Sequence, residues 1–251
     1  MIQRKNTLQQ RYELYTTEDA HVWRTLFTRQ MQYLYDHGAT EYLQAIEAIG
    51  FNKDEIPHFE KTTGKLMAAT GWQLTVVPEL VPTGYFFSLL AQRIFPATAW
   101  LRTYQQIDYL EEPDMFHDVF GHVPLLMNSA YAGFMEGIGK LAMKWMDVPQ
   151  AIELLGRIYW FTIEFGLMKQ AGAWKIYGSG IISSATEAAH SMSERSAKYD
   201  FDLQAMLQMP YRTDILQDKY FAINSFKQLF DALPVIEIAL QKTIDADVMI
   251  T

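Results

Sequence analysis

Apolar and polar positions alternate along this chain mostly with a helical period, and short strand-like stretches lie between the helical ones. In Thr40 to Gly50, Leu43, Ile46 and Ile49 recur at helical spacing; Thr40 is placed to cap this helix and Gly50 to end it. The pattern buries one face. Trp72 to Val77 (WQLTVV) reads as a short strand, and Pro78 and Pro82 keep the next residues irregular. Helical character resumes over Phe86 to Arg93, and Asp108 to Pro113 forms an extended connection. Ala151 to Gln170 (AIELLGRIYWFTIEFGLMKQ) is apolar on most sides, which predicts one long buried helix crossing the core. Gly178 and Gly180, set among serines, mark a tight turn into another helix with Ser183 or Ser184 as its cap. No internal repeat, low-complexity tract or linker interrupts the pattern. The first dozen residues are mainly polar and are expected to form a loose tail.

Composition narrows the function. With 251 residues, 49% of them hydrophobic, the chain can bury a full core, and a single large domain is expected. A net charge of −8 leaves no basic field to attract phosphates, so no nucleic-acid or anionic-membrane partner is expected and a small molecule is. The absence of cysteine excludes disulfides, thiolate nucleophiles, Cys-ligated zinc, iron–sulfur clusters and thiolate-bound haem. Any metal must therefore sit on His, carboxylate, carbonyl or water. The basic start of the chain is not followed by an apolar signal core, and no uncharged apolar run reaches the roughly 18 residues of a membrane span. A soluble cytoplasmic protein is the expectation.

The segment Pro113 to Pro124 (PDMFHDVFGHVP) carries the candidate chemistry: His117 and His122 flank Gly121 beside a carboxylate, a layout suited to a first-row metal. The spacing itself is weak, since six histidines produce roughly 0.1 such pairs by chance. On an α-helix five residues advance about 500°, which points the rings about 140° apart, so sharing a metal requires a break that Gly121 and Pro124 can supply. The alternative is a pair of separate hydrogen-bonded core histidines. Glu164 is the third candidate, because its helical neighbours Trp160, Phe161, Leu167 and Met168 are all apolar and an ionised carboxylate there needs a cation or hydrogen-bond donors. A metal would supply that compensation; the alternative is pairing with an arginine such as Arg157 or Arg195, or a carboxyl protonated by its surroundings. Two histidines and one carboxylate leave coordination positions open, as in dioxygen-activating Fe(II) enzymes, and zinc hydrolysis can use the same donors. Arg102 can grip a substrate carboxylate in a bidentate fork, or be an ordinary salt-bridged residue. Phe86, Phe87, Trp160 and Phe165 can line a flat aromatic pocket, or simply fill the core.

EEPDMFHDVFGHVPLL, then IYWFTIEFGLMKQ, then YGSGIISSATE resemble, in that order, the aromatic amino acid hydroxylases, the tetrahydropterin-dependent non-haem iron monooxygenases. Within that family the chain is most similar to the bacterial phenylalanine-hydroxylating members. The likeness runs from about Tyr15 through TGWQLTVV and FFSLLAQRIFPATAWLR to YFAINSF near Phe226.

The resemblance implies a mainly α catalytic-domain fold with a few short strands. Residues 1–14 would be a polar tail and 15–251 a single catalytic domain, without a regulatory or tetramerisation domain, so a monomer is expected. It implies Fe(II) on His117, His122 and Glu164, and tetrahydropterin (tetrahydrobiopterin or a related compound) as co-substrate. Arg102 corresponds to the residue that binds the substrate carboxylate, Ser183 to the serine near substrate and first histidine, and Pro113 and Trp160 to the ring pocket. Phe86 corresponds to the phenylalanine that stacks on the pterin, with Val81, Pro82 and Thr83 as the loop at its edge. Glu112 matches a carboxylate near pterin and iron, and Tyr159 a tyrosine close to the metal. Two positions depart from the family: Leu110-Glu111-Glu112-Pro113-Asp114 stands where animal enzymes read TPEPD, and Pro96 replaces a pterin-proximal histidine. The implied reaction uses O2 to convert L-phenylalanine to L-tyrosine, one oxygen atom entering the ring and the other leaving on the pterin. An enzyme acting on tryptophan, tyrosine or the meta position of phenylalanine would share these motifs. A zinc-dependent hydrolase or a non-catalytic metal-binding protein would share the donors.

Overall fold

Helices supply most of the architecture because the apolar stripes identified above can be buried only against one another. The computed structural model describes residues 8–248. Helix α1 (Thr17–His37) starts at a reciprocal capping box between Thr16 and Asp19. Helix α2 (Thr40–Ile49) ends, as expected, at Gly50 in the left-handed conformation, with Ile46 and Ile49 buried. Its cap position is Ala39 and Thr40 is its first residue, one step earlier than the sequence suggested. Helix α3 (Phe59–Thr70) leads into strand β1 (Gln73–Val77), helix α4 (Thr83–Leu90) and strand β2 (Ile94–Thr98). The two strands pair in parallel from Gln73↔Ile94 to Val77↔Thr98, so this stretch is a β-α-β unit. The helix expected over 86–93 thus stops at Leu90, and β2 was not anticipated because Pro96 sits inside it.

Helix α5 (Ser129–Lys144), capped by Asn128 onto the amides of Ala130 and Tyr131, packs between α4 and the terminal helix α10 (Phe226–Val248). Gly139 permits that packing: a Cβ there would come within 2.3 Å of Ala91 N and 2.8 Å of Phe87 O. Helix α6 (Pro149–Tyr159) follows. The long helix predicted over 151–170 is not continuous: α6 passes into a π-helical turn at Trp160–Glu164, and the chain then extends as β3 (Leu167–Gln170). Continuous apolarity looks the same for a buried helix and a buried strand, which is why the pattern did not separate them.

Strand β4 (Ala173–Ile176), helices α7 (Ser179–Ile182) and α8 (Ala185–Met192), β5 (Ala197–Asp200), α9 (Leu203–Gln208) and β6 (Lys219–Ile223) complete the chain. The second sheet has the order β4-β3-β6-β5, antiparallel between β3 and β4 and parallel elsewhere. One large cluster, including Trp23, Tyr42, Phe116, Phe120, Phe134, Leu155 and Tyr177, forms the main core, and Phe161, Met206 and Phe221 form a smaller one. Each large side chain sealed there contributes about 1.5–3 kcal/mol.

Part of the stretch expected to be a loose tail is held by the rest of the chain. Residues 1–7 lie outside the described residues, whereas Gln10 donates to Pro57 O and accepts from Phe59 N, and Tyr12 donates to Ile56 O and stacks on His58. Residues 10–14 are therefore docked onto the segment before α3, because their polar side chains find backbone partners there. No helix among the described residues is long and apolar enough to cross a membrane.

Candidate metal centre

Both donor-bearing segments are π-helical. The first runs Phe116–His122 and the second Trp160–Glu164. In a π-turn the hydrogen bond joins i to i+5, so residues five apart return to nearly the same side. The break expected at Gly121 and Pro124 is thus replaced by a wider helical turn. Gly121 serves close packing: a Cβ there would lie 3.1 Å from Ser179 O and 3.2 Å from Ser179 Cβ.

The turns bring His117, His122 and Glu164 together, one donor atom from each lying within 4.8 Å of the others. His122 Nε2 is 3.1 Å from Glu164 Oε1 and 3.3 Å from His117 Nε2, and His117 Nε2 is 3.7 Å from Glu164 Oε2. Glu164 meets His117, His122 and Ser179, whereas Arg157, proposed as its partner, binds Glu153 and Leu207 O instead.

Second-layer contacts orient the donors. Ser183 Oγ donates to Ser179 O at 2.8 Å, so it accepts from His117 Nδ1–H at 2.9 Å, which leaves the Nε2 lone pair facing the other two donors. Ser179 Oγ donates toward Glu164 Oε2 at 2.9 Å. His122 Nδ1 is buried without a hydrogen-bond partner among the described residues, so its Nε2 is the nitrogen turned to the cluster. The electrostatics agree. Burial drives the His117 pKa down to about 4, with His122 and Arg102 adding to the fall against Glu164 and Asp114. Burial pushes Glu164 up, but the attraction and hydrogen bond of His122, then His117 and Ser179, bring it down to about 2. At neutral pH His117 is a neutral imidazole and Glu164 a carboxylate. With His122 they form a set of two imidazoles and one carboxylate whose donor atoms converge, which fits a divalent transition metal.

Arg102 is buried and its Nε and Nη2 grip Asp114 Oδ2 and Oδ1, both at 2.9 Å, so the fork proposed for substrate is spent on Asp114. The end-on edge remains, with Nη1 only 3.5 Å from Ile107 O. Asp114 also accepts from the backbone amides of Arg102 and His117, tying the arginine to the first donor. Trp160 is half-buried, its ring 4.5 Å from that of Phe165 and 4.7 Å from that of Tyr211. Pro113 is half-buried at the end of the connection into the first π-turn, and Glu112 beside it is exposed.

The Tyr159 hydroxyl is buried, and its ring is centred 6.3 Å from that of His122. Burial, then the charge of Glu164, raises its pKa well above the ordinary value. Phe86 is half-buried and meets Tyr159 edge-on at 5.3 Å, whereas Phe87 is fully buried core. Val81, Pro82 and Thr83 lead into α4 near the surface. Val81 is half-buried; Pro82 and Thr83 are exposed.

Sequence reasoning missed Asp114, Asp118, Ser179 and Gln217. Ser179 and Ser183 stand four apart, and that spacing could have signalled a shared helical face. Asp118, half-buried and accepting from Thr98 N and Oγ1, has its pKa raised to about 7 by desolvation despite those hydrogen bonds. Nothing local marks it, because Thr98 is twenty residues away.

The sequence pattern of the biopterin-dependent aromatic amino acid hydroxylase family matches residues 7–247. The phenylalanine-4-hydroxylase of Chromobacterium violaceum is 44% identical over 227 residues, covering 90% of this chain and 76% of that protein. The phenylalanine-4-hydroxylase of Ralstonia nicotianae is 43% identical, covering 90% and 72%. A crystal structure of the Chromobacterium violaceum phenylalanine hydroxylase with bound iron(III) and oxidised 7,8-dihydrobiopterin superposes with a TM-score of 0.87 at 43% identity, covering 95% of this chain and 88% of that one. By this match over nearly its whole length, the chain belongs to the biopterin-dependent aromatic amino acid hydroxylase family.

Proposed function

We propose that the chain is an Fe(II)- and tetrahydropterin-dependent monooxygenase that uses O2 to hydroxylate L-phenylalanine to L-tyrosine. The observation that carries this reading is the convergence of His117, His122 and Glu164, with Ser183 fixing the tautomer of the first histidine. Iron held by these three side chains, together with the reduced pterin, would supply the oxygen-activating redox chemistry.

The residues of the chain bind, orient and exclude. The end-on edge of Arg102 takes the carboxylate of the amino acid, while Asp114 keeps the guanidinium from turning. Pro113 and Trp160 flank the substrate ring. Phe86 stacks on the pterin, and Val81, Pro82, Thr83 and Glu112 border it. Ser183 holds His117 on its Nδ1 side, and Tyr159 closes the apolar wall beside His122 and Glu164. Placing the reactants in one partly dry cleft converts an encounter of several molecules into a reaction of neighbours.

The test is anaerobic loading with Fe(II), then addition of O2, tetrahydropterin and phenylalanine, with chromatography of the amino-acid product. Tyrosine formed only when all components are present is the expected result. A hydroxylated product obtained only from tryptophan or tyrosine, or tight zinc with no pterin-dependent oxygen uptake, would overturn the assignment.

A further inference from the structure

The indole of Trp160 is held from outside the cleft by a single amide: Nε1 donates to Gln217 Oε1 at 3.0 Å. The orientation of that amide is determined by its other bonds. Gln217 Nε2 donates to Arg212 O at 2.8 Å and to Ile215 O at 3.1 Å, so only the oxygen is left for the indole. Gln217 is buried, 7% exposed, which makes each of these bonds costly to lose. Tyr211 stacks on the Trp160 ring with an interplanar angle of 27°, and Phe165 approaches it at 39°. Such contacts fix the plane of a ring but resist its rotation within that plane only weakly; the hydrogen bond supplies what they lack.

The anchor is itself anchored. Gln217 N donates to Glu187 Oε1 at 3.3 Å, and the Tyr220 hydroxyl donates to the same oxygen. Glu187 is buried in the first turn of α8, and the cap of that helix, Ser184, follows directly on Ser183, the partner of His117. One turn of chain thus holds the first metal-donor candidate at one end and the Trp160 support at the other.

We infer that Gln217 is a positioning residue that sets the in-plane orientation of Trp160 and thereby restricts the ring pocket to a single aromatic ring. This rests on the activity proposed above and extends it to substrate selection. Gln217→Met, of similar length, removes the acceptor. It is expected to raise the KM for phenylalanine by about fivefold, the value of one hydrogen bond, with kcat changed less than KM. Turnover of tryptophan falls less, so the phenylalanine-to-tryptophan ratio of kcat/KM drops.

In iron-free protein the Trp160 indole N–H resonance, identified by its loss in Trp160→Phe, should shift upfield in Gln217→Met. In the Trp160→Phe background the same change should add less than about twofold, since the partner is already gone. An unmoved indole resonance, an unchanged ratio, or an equal effect in both backgrounds would overturn the inference. Should Gln217→Met fail to fold, two measurements remain. The Trp160 indole proton of the wild type must be protected from solvent exchange, and Trp160→Phe must by itself lower the ratio; failure of either sinks the idea. Wild-type turnover of phenylalanine tests the activity alone, whereas the indole resonance is read without it.

Discussion

Ser183 Oγ lies 2.9 Å from His117 Nδ1 and spends its own proton on Ser179 O, so the imidazole presents an unprotonated Nε2 to the donor cluster. Removing that hydroxyl frees the ring to rotate and to change tautomer. Ser183→Ala is expected to weaken iron binding by about 10–100-fold while leaving the fold intact. Titration of the iron-free variant with Fe(II) under anaerobic conditions checks this, and wild-type affinity would contradict it.

Glu164 contributes the only negative charge of the three donors. Glu164→Ala should abolish iron-dependent turnover and strip the protein of bound metal, as read by elemental analysis beside the activity assay. Full iron content together with full activity would remove Glu164 from the donor set.

Arg102 and Asp114 form a buried bidentate pair, with Asp114 fully enclosed. Asp114→Ala leaves the guanidinium unpaired and should cost about 3–5 kcal/mol in a denaturant titration. Arg102→Ala should chiefly raise the KM for the amino acid, because the end-on N–H groups are lost. Tighter retention of phenylalanine by that variant would contradict the role assigned to it.

Gly121 lies where the first π-turn meets Ser179. Gly121→Ala inserts a methyl group about 0.3 Å tighter than ordinary contact. The expected cost is about 1–3 kcal/mol of stability, together with weaker metal binding because His122 is displaced. Thermal unfolding and iron titration of the variant read the two effects separately.

In iron-free protein the His117 imidazole should remain neutral as pH falls, until about 4. The unfolded imidazole takes its proton near 6.5, so between 6.5 and 4 the unfolded state binds more protons and this group's contribution to stability declines as pH drops. Asp118 opposes it: raised from 3.8 to about 7, it keeps its proton in the folded state, and its contribution is lost as pH rises through that range. Nitrogen chemical shifts of the histidine rings, followed from pH 7.5 down, resolve His117 from the opposing carboxyl. Protonation of His117 above pH 6 would refute the expected shift.

Much of the helical framework was legible in the period of apolar residues, and α2 and β1 lie close to where that pattern put them. The candidate donors stood out for a different reason. A glutamate amid apolar neighbours is a local anomaly that electrostatics marks as needing compensation, whereas the histidine pair flanking a glycine is a weak signal by itself. The π-turn was not legible, because i to i+5 bonding depends on the chain being pressed against Ser179 and the core rather than on any local propensity.

The amino-acid sequence alone determined the class of fold, the type of donor available and the exclusion of thiolate chemistry, since these follow from composition and short-range pattern. Only the tertiary structure decided which partners those groups take. Arg102 finds Asp114 twelve residues on, His117 finds Ser183 sixty-six residues away, and Trp160 finds Gln217 at a distance of fifty-seven. Hydrogen bonds reach only about 3 Å, so the pairing of distant residues is set by how the core packs.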